Sequence, residues 1–225
     1  MLKRFIAVVF GLAAFAGVEA QQAPQPYEAG KQYFLVEPPQ PTTTGDKIEV
    51  LEVFSYACPA CNAFRPFVDK IKAGLPKNAE MAYLPAAFRA DEDWPVFQRA
   101  FLAAKALGLV DKTHDAMFDA VWKDGTLKIT DPVSHKVVNP MPTIDDVAKF
   151  YSKYGVSAED FTGTASSFAV NTKMKAADAQ IKAYGVDSTP TIIVNGKYRI
   201  TAASAGGWDK VEPLVTYLVN LESHK

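Results

Sequence analysis

The sequence has little cysteine, no excess of either charge, and no apolar run long enough to span a bilayer. Only two of its 225 residues are cysteine, far fewer than a small disulfide-stapled scaffold carries. A chain of this length buries roughly 70% of its unfolded surface without staples, so the two cysteines are not needed as a framework. With 24 basic and 25 acidic residues the net charge is −1, and no Lys/Arg run interrupts that balance. The basic footprint of a nucleic-acid binder and the polybasic patch of a membrane-surface protein are both missing. The histidines, His114, His135 and His224, are scattered and do not complete a zinc site, which needs about four N/S ligands. At 48% hydrophobic and 22% charged residues, the composition is that of a globular protein and excludes disorder.

What is present begins with an export layout. Lys3 and Arg4 precede an uncharged apolar run from Phe5 to Gly17, followed by Val18-Glu19-Ala20 as a cleavage site. The run is about 13 residues, against the roughly 20 that a spanning helix needs. This is the order of a secretory signal, so residues 1–20 are expected to be removed after Ala20. An uncleaved membrane anchor is the alternative. The remaining chain then works in an exported, disulfide-permissive compartment.

Hydrophobic patterning divides the rest. Gln21–Gly30 reads as a mobile arm, Tyr33–Val36 as a short strand, and the Pro/Thr-rich stretch 37–45 as a loop. Lys47–Phe54 and Met81–Leu84 have the β-branched, apolar character of buried strands. Between them a helix is predicted from near Cys58 to about Ala73. From Trp94 to about Tyr184 the apolar residues recur at helical spacing. The stretch Asp124–Pro142 interrupts them as a loop or small hairpin. Thr143 and Ser157, each with an acid three residues on, read as helix caps. Thr191–Val194 and Lys197–Ile200 flank Asn195-Gly196, the signal of a type I′ hairpin. Trp208–Leu221 reads as a closing helix.

The chemistry lies in Cys58-Pro59-Ala60-Cys61, placed after a buried strand and at a helix start. Pro59 suits the first helical position, where a missing N–H costs nothing. Cys58 then takes the cap position, its sulfur facing the free amides of Ala60 and Cys61 and the positive end of the helix. Those groups favour thiolate over thiol. Cys61, one turn on, is expected to be less exposed. Cys58 is therefore the attacking and leaving sulfur and Cys61 the resolving one. A structural disulfide across so short a loop contributes only about 2 kcal/mol, and a cysteine protease needs a nearby histidine. Both readings, like the zinc site, are weaker than a redox pair.

Two segments together carry a family resemblance: Val50-Leu51-Glu52-Val53-Phe54-Ser55-Tyr56-Ala57-Cys58-Pro59-Ala60-Cys61 and Thr189-Pro190-Thr191-Ile192-Ile193-Val194-Asn195-Gly196-Lys197-Tyr198. With helices between them, over nearly all of Tyr27–Lys225, the chain resembles DsbA-type thiol–disulfide oxidoreductases of the bacterial periplasm. The resemblance implies an α/β thioredoxin fold with an inserted all-helical domain. The expected segments are an arm, strand and loop over 21–45, a first thioredoxin part over 46–88, helices over 89–170 and a second thioredoxin part over 171–225. It also implies that Thr189-Pro190 is a cis bond beside the cysteines, where Thr189 and Pro190 bind an extended substrate by its backbone. A trans proline at a strand start is the alternative. Glu52 matches a buried acid thought to handle the Cys61 proton. Period-two alternation places it with Ile48, Val50 and Phe54, where burial raises its pKa. An exposed strand-edge charge is the alternative.

The chain departs from the family pattern at three points. Pro59-Ala60 stands where the best-known members have Pro-His, so the pair is expected to be less oxidising than theirs. Thr189 stands where a valine is typical, and threonine there is more usual in periplasmic isomerases. No lysine on the neighbouring strand faces Glu52. The leading expectation is an oxidase that donates its disulfide to reduced exported proteins and is recharged by a DsbB-type membrane reoxidase, with no organic cofactor, metal or nucleic acid. A reductase or isomerase on the same fold, and a non-catalytic chaperone, are the competing readings.

Overall fold

The computed structural model describes residues 26–134 and 136–224. The export segment of residues 1–20, the start of the arm (21–25) and His135 lie outside the described residues. Five strands form one sheet: β1 (Phe34–Leu35), β2 (Ile48–Phe54), β3 (Ala79–Pro85), β4 (Thr191–Val194) and β5 (Tyr198–Ile200). Their order is β1-β5-β4-β2-β3. β2 runs parallel to β3 and antiparallel to β4, which pairs with β5 as a hairpin. Asn195 and Gly196 turn that hairpin with φ of 50° and 66°, the left-handed pair that a type I′ turn requires. A Cβ on Gly196 would meet the Gln40 carbonyl oxygen at 2.0 Å, so only glycine fits.

β2 is buried along its whole length because helices cover both faces. On one face α1 (Pro59–Gly74) and α8 (Val211–Ser223) bring Phe64, Val68, Ile71, Leu214 and Leu218 against Ile48, Val50, Ile192 and Ile200. On the other, Leu51 and Val53 join the core of the helices that run between β3 and β4. Burying each of these aliphatic side chains contributes about 1.5–3 kcal/mol. Those helices are α2 (Trp94–Ala106), α3 (Val110–Trp122), α4 (Ile144–Tyr151), α5 (Ala158–Ala165) and α6 (Phe168–Ala183). Thr143 closes a full capping box with Asp146, and Ser157 caps α5 by accepting from the Asp160 amide. The result is a thioredoxin fold carrying a helical insertion.

Three local features differ from the sequence reading. The closing helix starts later than Trp208: residues 208–210 form a 3-10 turn and the α-helix begins at Val211. A four-residue helix, α7 (Ala202–Ala205), lies between β5 and that turn and is ended by Gly206 at φ 88°. The boundary drawn at residue 170 falls inside α6, a continuous helix shared by insertion and sheet layer. Of the two forms open to it, the 124–142 stretch takes the small hairpin. Thr130 bridges Val137, and buried Leu127 and Ile129 anchor the base. No helix among the described residues is long and apolar enough to cross a membrane.

Candidate active site

β2 delivers the chain into a tight turn at its C-terminal end. The Cys58 N–H donates to the Ser55 carbonyl at 3.1 Å, and the Ala57 N–H donates to Ser55 Oγ at 3.1 Å. Cys58 caps α1 with extended backbone, φ −90° and ψ 115°, and Pro59 opens the helix. The Cys61 amide donates to the Cys58 sulfur at 3.3 Å. Cys58 retains a 4% opening to solvent, whereas Cys61 has none. Both are free thiols in this structure. The Cys58 S–H points at the Thr189 carbonyl, 3.6 Å away, and the Thr189–Pro190 bond is cis. Pro59, Ala60, Thr189 and Pro190 therefore all lie around the same sulfur.

The two sulfurs are driven apart electrostatically. The Cys58 thiol is pulled down to about 6, first by the Cys61 side chain beside its sulfur and then by the Cys61 and Ala60 amides, against the opposing effect of burial. The helix terminus contributes as the sequence implies, but the neighbouring thiol contributes more. A cap residue and the third helical residue share one turn, so the second thiol reaches the first sulfur. Cys61 moves the other way. Burial, the bond to Cys58, and the charges of Cys58 and Glu52 all push it well above its ordinary value.

Glu52 is buried, opposite Tyr83 on β3 and Ile192 on β4. A strand-edge position is thereby excluded. Burial raises its pKa to about 8, helped by the Cys58 and Asp115 charges. Tyr83 occupies the cross-strand position, so no lysine of β3 offsets that rise. A cavity of about 50 Å³ joins Glu52 to Arg65, Asp69, Asp111, His114 and Asp115.

Sequence reasoning missed the groups that close this region. In sequence His114 is remote from both cysteines and from the other histidines, yet it packs into the site. Its ring lies 4.2 Å from Tyr83 and 4.9 Å from Phe54. Its Nδ1 is hydrogen-bonded to Tyr56 Oη at 3.0 Å. Burial lowers its pKa to about 4, keeping the imidazole neutral. Trp122 Nε1 donates to the Tyr56 carbonyl at 2.7 Å. The available signal was helical spacing: 114, 118 and 122 recur every fourth residue on one face of α3. No group of three or more metal-ligating side chains occurs among the described residues.

Comparison with known proteins agrees with this geometry. Residues 75–218 match the family model of the DSBA-like thioredoxin domain. The thiol:disulfide interchange protein DsbA of Pseudomonas aeruginosa PAO1 is 34% identical over 222 residues, covering 99% of this chain and 97% of the relative. The DsbA of Pseudomonas syringae pv. tomato is likewise 34% identical, covering 99% and 96%. The crystal structure of P. aeruginosa DsbA superimposes with a TM-score of 0.73 at 34% identity, over 88% of this chain and 95% of that one. Xylella fastidiosa oxidoreductase DsbA gives a TM-score of 0.77 at 30% identity, over 88% and 99%. The whole-chain relatives span the cysteine segment that the family model does not reach. With its sheet order, its helical insertion and these relatives, the chain belongs to the DSBA-like thioredoxin-domain family.

Proposed function

We propose that this protein is a thiol:disulfide interchange enzyme that oxidises exported proteins, with Cys58 as the attacked sulfur, Cys61 as the resolving sulfur and Glu52 as the proton store beneath them. A substrate thiolate attacks Cys58 of the Cys58–Cys61 disulfide. The S–S bond breaks, and its electron pair leaves on Cys61. A thiolate at Cys61 is costly where it is buried, so Glu52, protonated at neutral pH, supplies the proton. A second substrate thiolate then attacks the substrate sulfur of the mixed disulfide and expels Cys58. The stabilised thiolate makes Cys58 a good leaving group. The substrate loses two electrons and two protons, and the enzyme becomes a dithiol. The redox couple is the cysteine pair itself.

The Thr189 main chain beside the sulfur suits pairing with an extended peptide backbone, which reads few side chains. That agrees with a broad range of unfolded substrates. The N-terminal segment 1–20 agrees with export to the periplasm, and the family membership with recharging by a DsbB-type membrane reoxidase.

The observation that carries the reading is the placement of two sulfurs on one helical turn, Cys58 at the amide-rich start of α1 beside the Thr189 carbonyl and Cys61 fully buried. Equilibration with glutathione tests it. The expected potential lies between the DsbA and thioredoxin reference values of about −120 and −270 mV, because Ala60 lacks the imidazole of the Pro-His type. A potential at or below the thioredoxin value would favour the reductase reading. Cys58 titrating near about 8.5, as a free thiol does, would remove the oxidase reading. An absence of turnover on a reduced protein would favour the chaperone.

A further inference from the structure

The turn that presents Cys58 is hydrogen-bonded from outside the sheet by one face of α3 and packed by Phe97 and Phe101 of α2. Within the turn the Ser55 carbonyl and hydroxyl are used by the Cys58 and Ala57 amides. The Tyr56 carbonyl is left to find its own donor, and Trp122 supplies it at 2.7 Å. The phenol of the same Tyr56 is held by His114 at 3.0 Å and packs edge-on against Phe118, 5.0 Å between centroids. The other side of Cys58 is held by the same helix. Arg65 of α1 donates to Asp119 at 2.7 Å and to Asp115 at 3.3 Å, and its guanidinium lies 5.4 Å from the Phe118 ring centre. His114, Phe118 and Trp122 form one row at i+4 spacing, and Asp115 and Asp119 the adjacent row.

We infer that Trp122, with His114 behind it, is a positioning residue for Cys58: the inserted helix α3 sets where the sulfur stands relative to the amides of α1. The distances explain how. The helix amides stabilise the Cys58 thiolate only while its sulfur stays within reach of the Cys61 amide, now 3.3 Å away. That separation depends on the angle between the 55–58 turn and the first turn of α1. Helix α3 grips the turn through Tyr56 and the helix through Arg65, so it fixes that angle. The insertion is therefore part of the redox tuning as well as a cover for one face of the sheet. The inference rests on the proposed role of Cys58 as the attacked sulfur.

The test is Trp122→Phe, which keeps an aromatic ring and removes the N–H donor. Cys58 is titrated by its alkylation rate against pH in both proteins. The expected result is a midpoint raised by about half a unit, an approximately threefold fall in thiolate fraction below the midpoint. An unchanged midpoint overturns the inference, even if thermal stability falls, because a merely structural tryptophan moves only the latter. Should Trp122→Phe not fold, the same titration is run with 3-benzothienylalanine at position 122, which keeps the bicyclic shape and lacks only the N–H. The wild-type curve separates the two ideas. A low wild-type midpoint with no effect of the variant sinks this inference alone, whereas a wild-type midpoint near that of a free thiol sinks the proposed function.

Discussion

Among the buried glutamates of the thioredoxin part, Glu222 and Glu52 have completely different surroundings. Glu222 of α8 collects Asn195 Nδ2 at 2.7 Å, Tyr198 Oη at 2.8 Å and the Lys197 ammonium. It ties the β4–β5 hairpin to the last helix. Glu52 of β2 has no basic side chain paired with it among the described residues, and its neighbours Cys58 and Asp115 repel its charge. The difference teaches what burial alone does not say. A buried carboxylate surrounded by donors is a staple, and one left without them holds its proton. The sulfurs divide in a related way: the amides at the start of α1 favour the Cys58 thiolate, whereas burial and the nearby charges outweigh the backbone hydrogen bond that Cys61 has at Ser55.

The largest expected effect that tests this contrast is on pH-dependent stability. Glu52 keeps its proton up to about 8 in the folded protein and releases it near 4.5 when unfolded. Between those values the native state binds more protons, so stability is fully present below 4.5 and falls as pH rises. The full window is worth roughly 4–5 kcal/mol. Denaturant melts of the reduced protein and of Glu52→Gln should therefore converge at low pH and diverge toward pH 8, with the glutamine variant the more stable. Cys58, whose folded pKa is depressed, acts in the opposite sense in both proteins, so only its coupling to Glu52 survives in the difference. Parallel curves would place Glu52 with the staples. In the same variant the Cys61-dependent step should slow by about a hundredfold, in the range of lost general acid–base catalysis. An unchanged second step would take Glu52 out of the mechanism.

Glu222→Ala should act on stability without touching the chemistry. Removing the acceptor shared by Asn195, Lys197 and Tyr198 is expected to cost about 3 kcal/mol, read as a lower denaturant midpoint. Activity per folded molecule should stay constant. A matching loss of activity would show that the two carboxylates are not independent.

The smallest effect sharpens the rule at sulfur. Ala60→His adds a cationic donor beside Cys58, and one such interaction of about 1.4 kcal/mol makes the disulfide more oxidising by about 30 mV. Equilibrium with glutathione reads the change directly. No shift would mean that the Cys61 and Ala60 groups already saturate the thiolate.

Much of the site was legible from short-range rules. Pro59 after Cys58 marks a cap, period-two alternation buries Glu52, and Asn195-Gly196 marks the hairpin. Each rests on geometry within a few residues. The 3-10 turn at Trp208 was missed because a single 3-10 turn keeps nearly the same apolar spacing as an α-helix.

By itself, then, the sequence determined the Cys58–Cys61 spacing, the helix that opens on it, the buried acid and the alternation of sheet and helix. These follow from backbone conformations that neighbouring residues dictate. Only the tertiary structure decided that His114 and Trp122 grip Tyr56 and that Arg65 of α1 reaches Asp115 and Asp119 of α3; that Thr189 lies beside Cys58 was implied by the family resemblance. Those contacts depend on how separate elements pack. One chain can set its own local geometry from its neighbours, but which side chains meet across elements is fixed only when the whole apolar surface is buried at once.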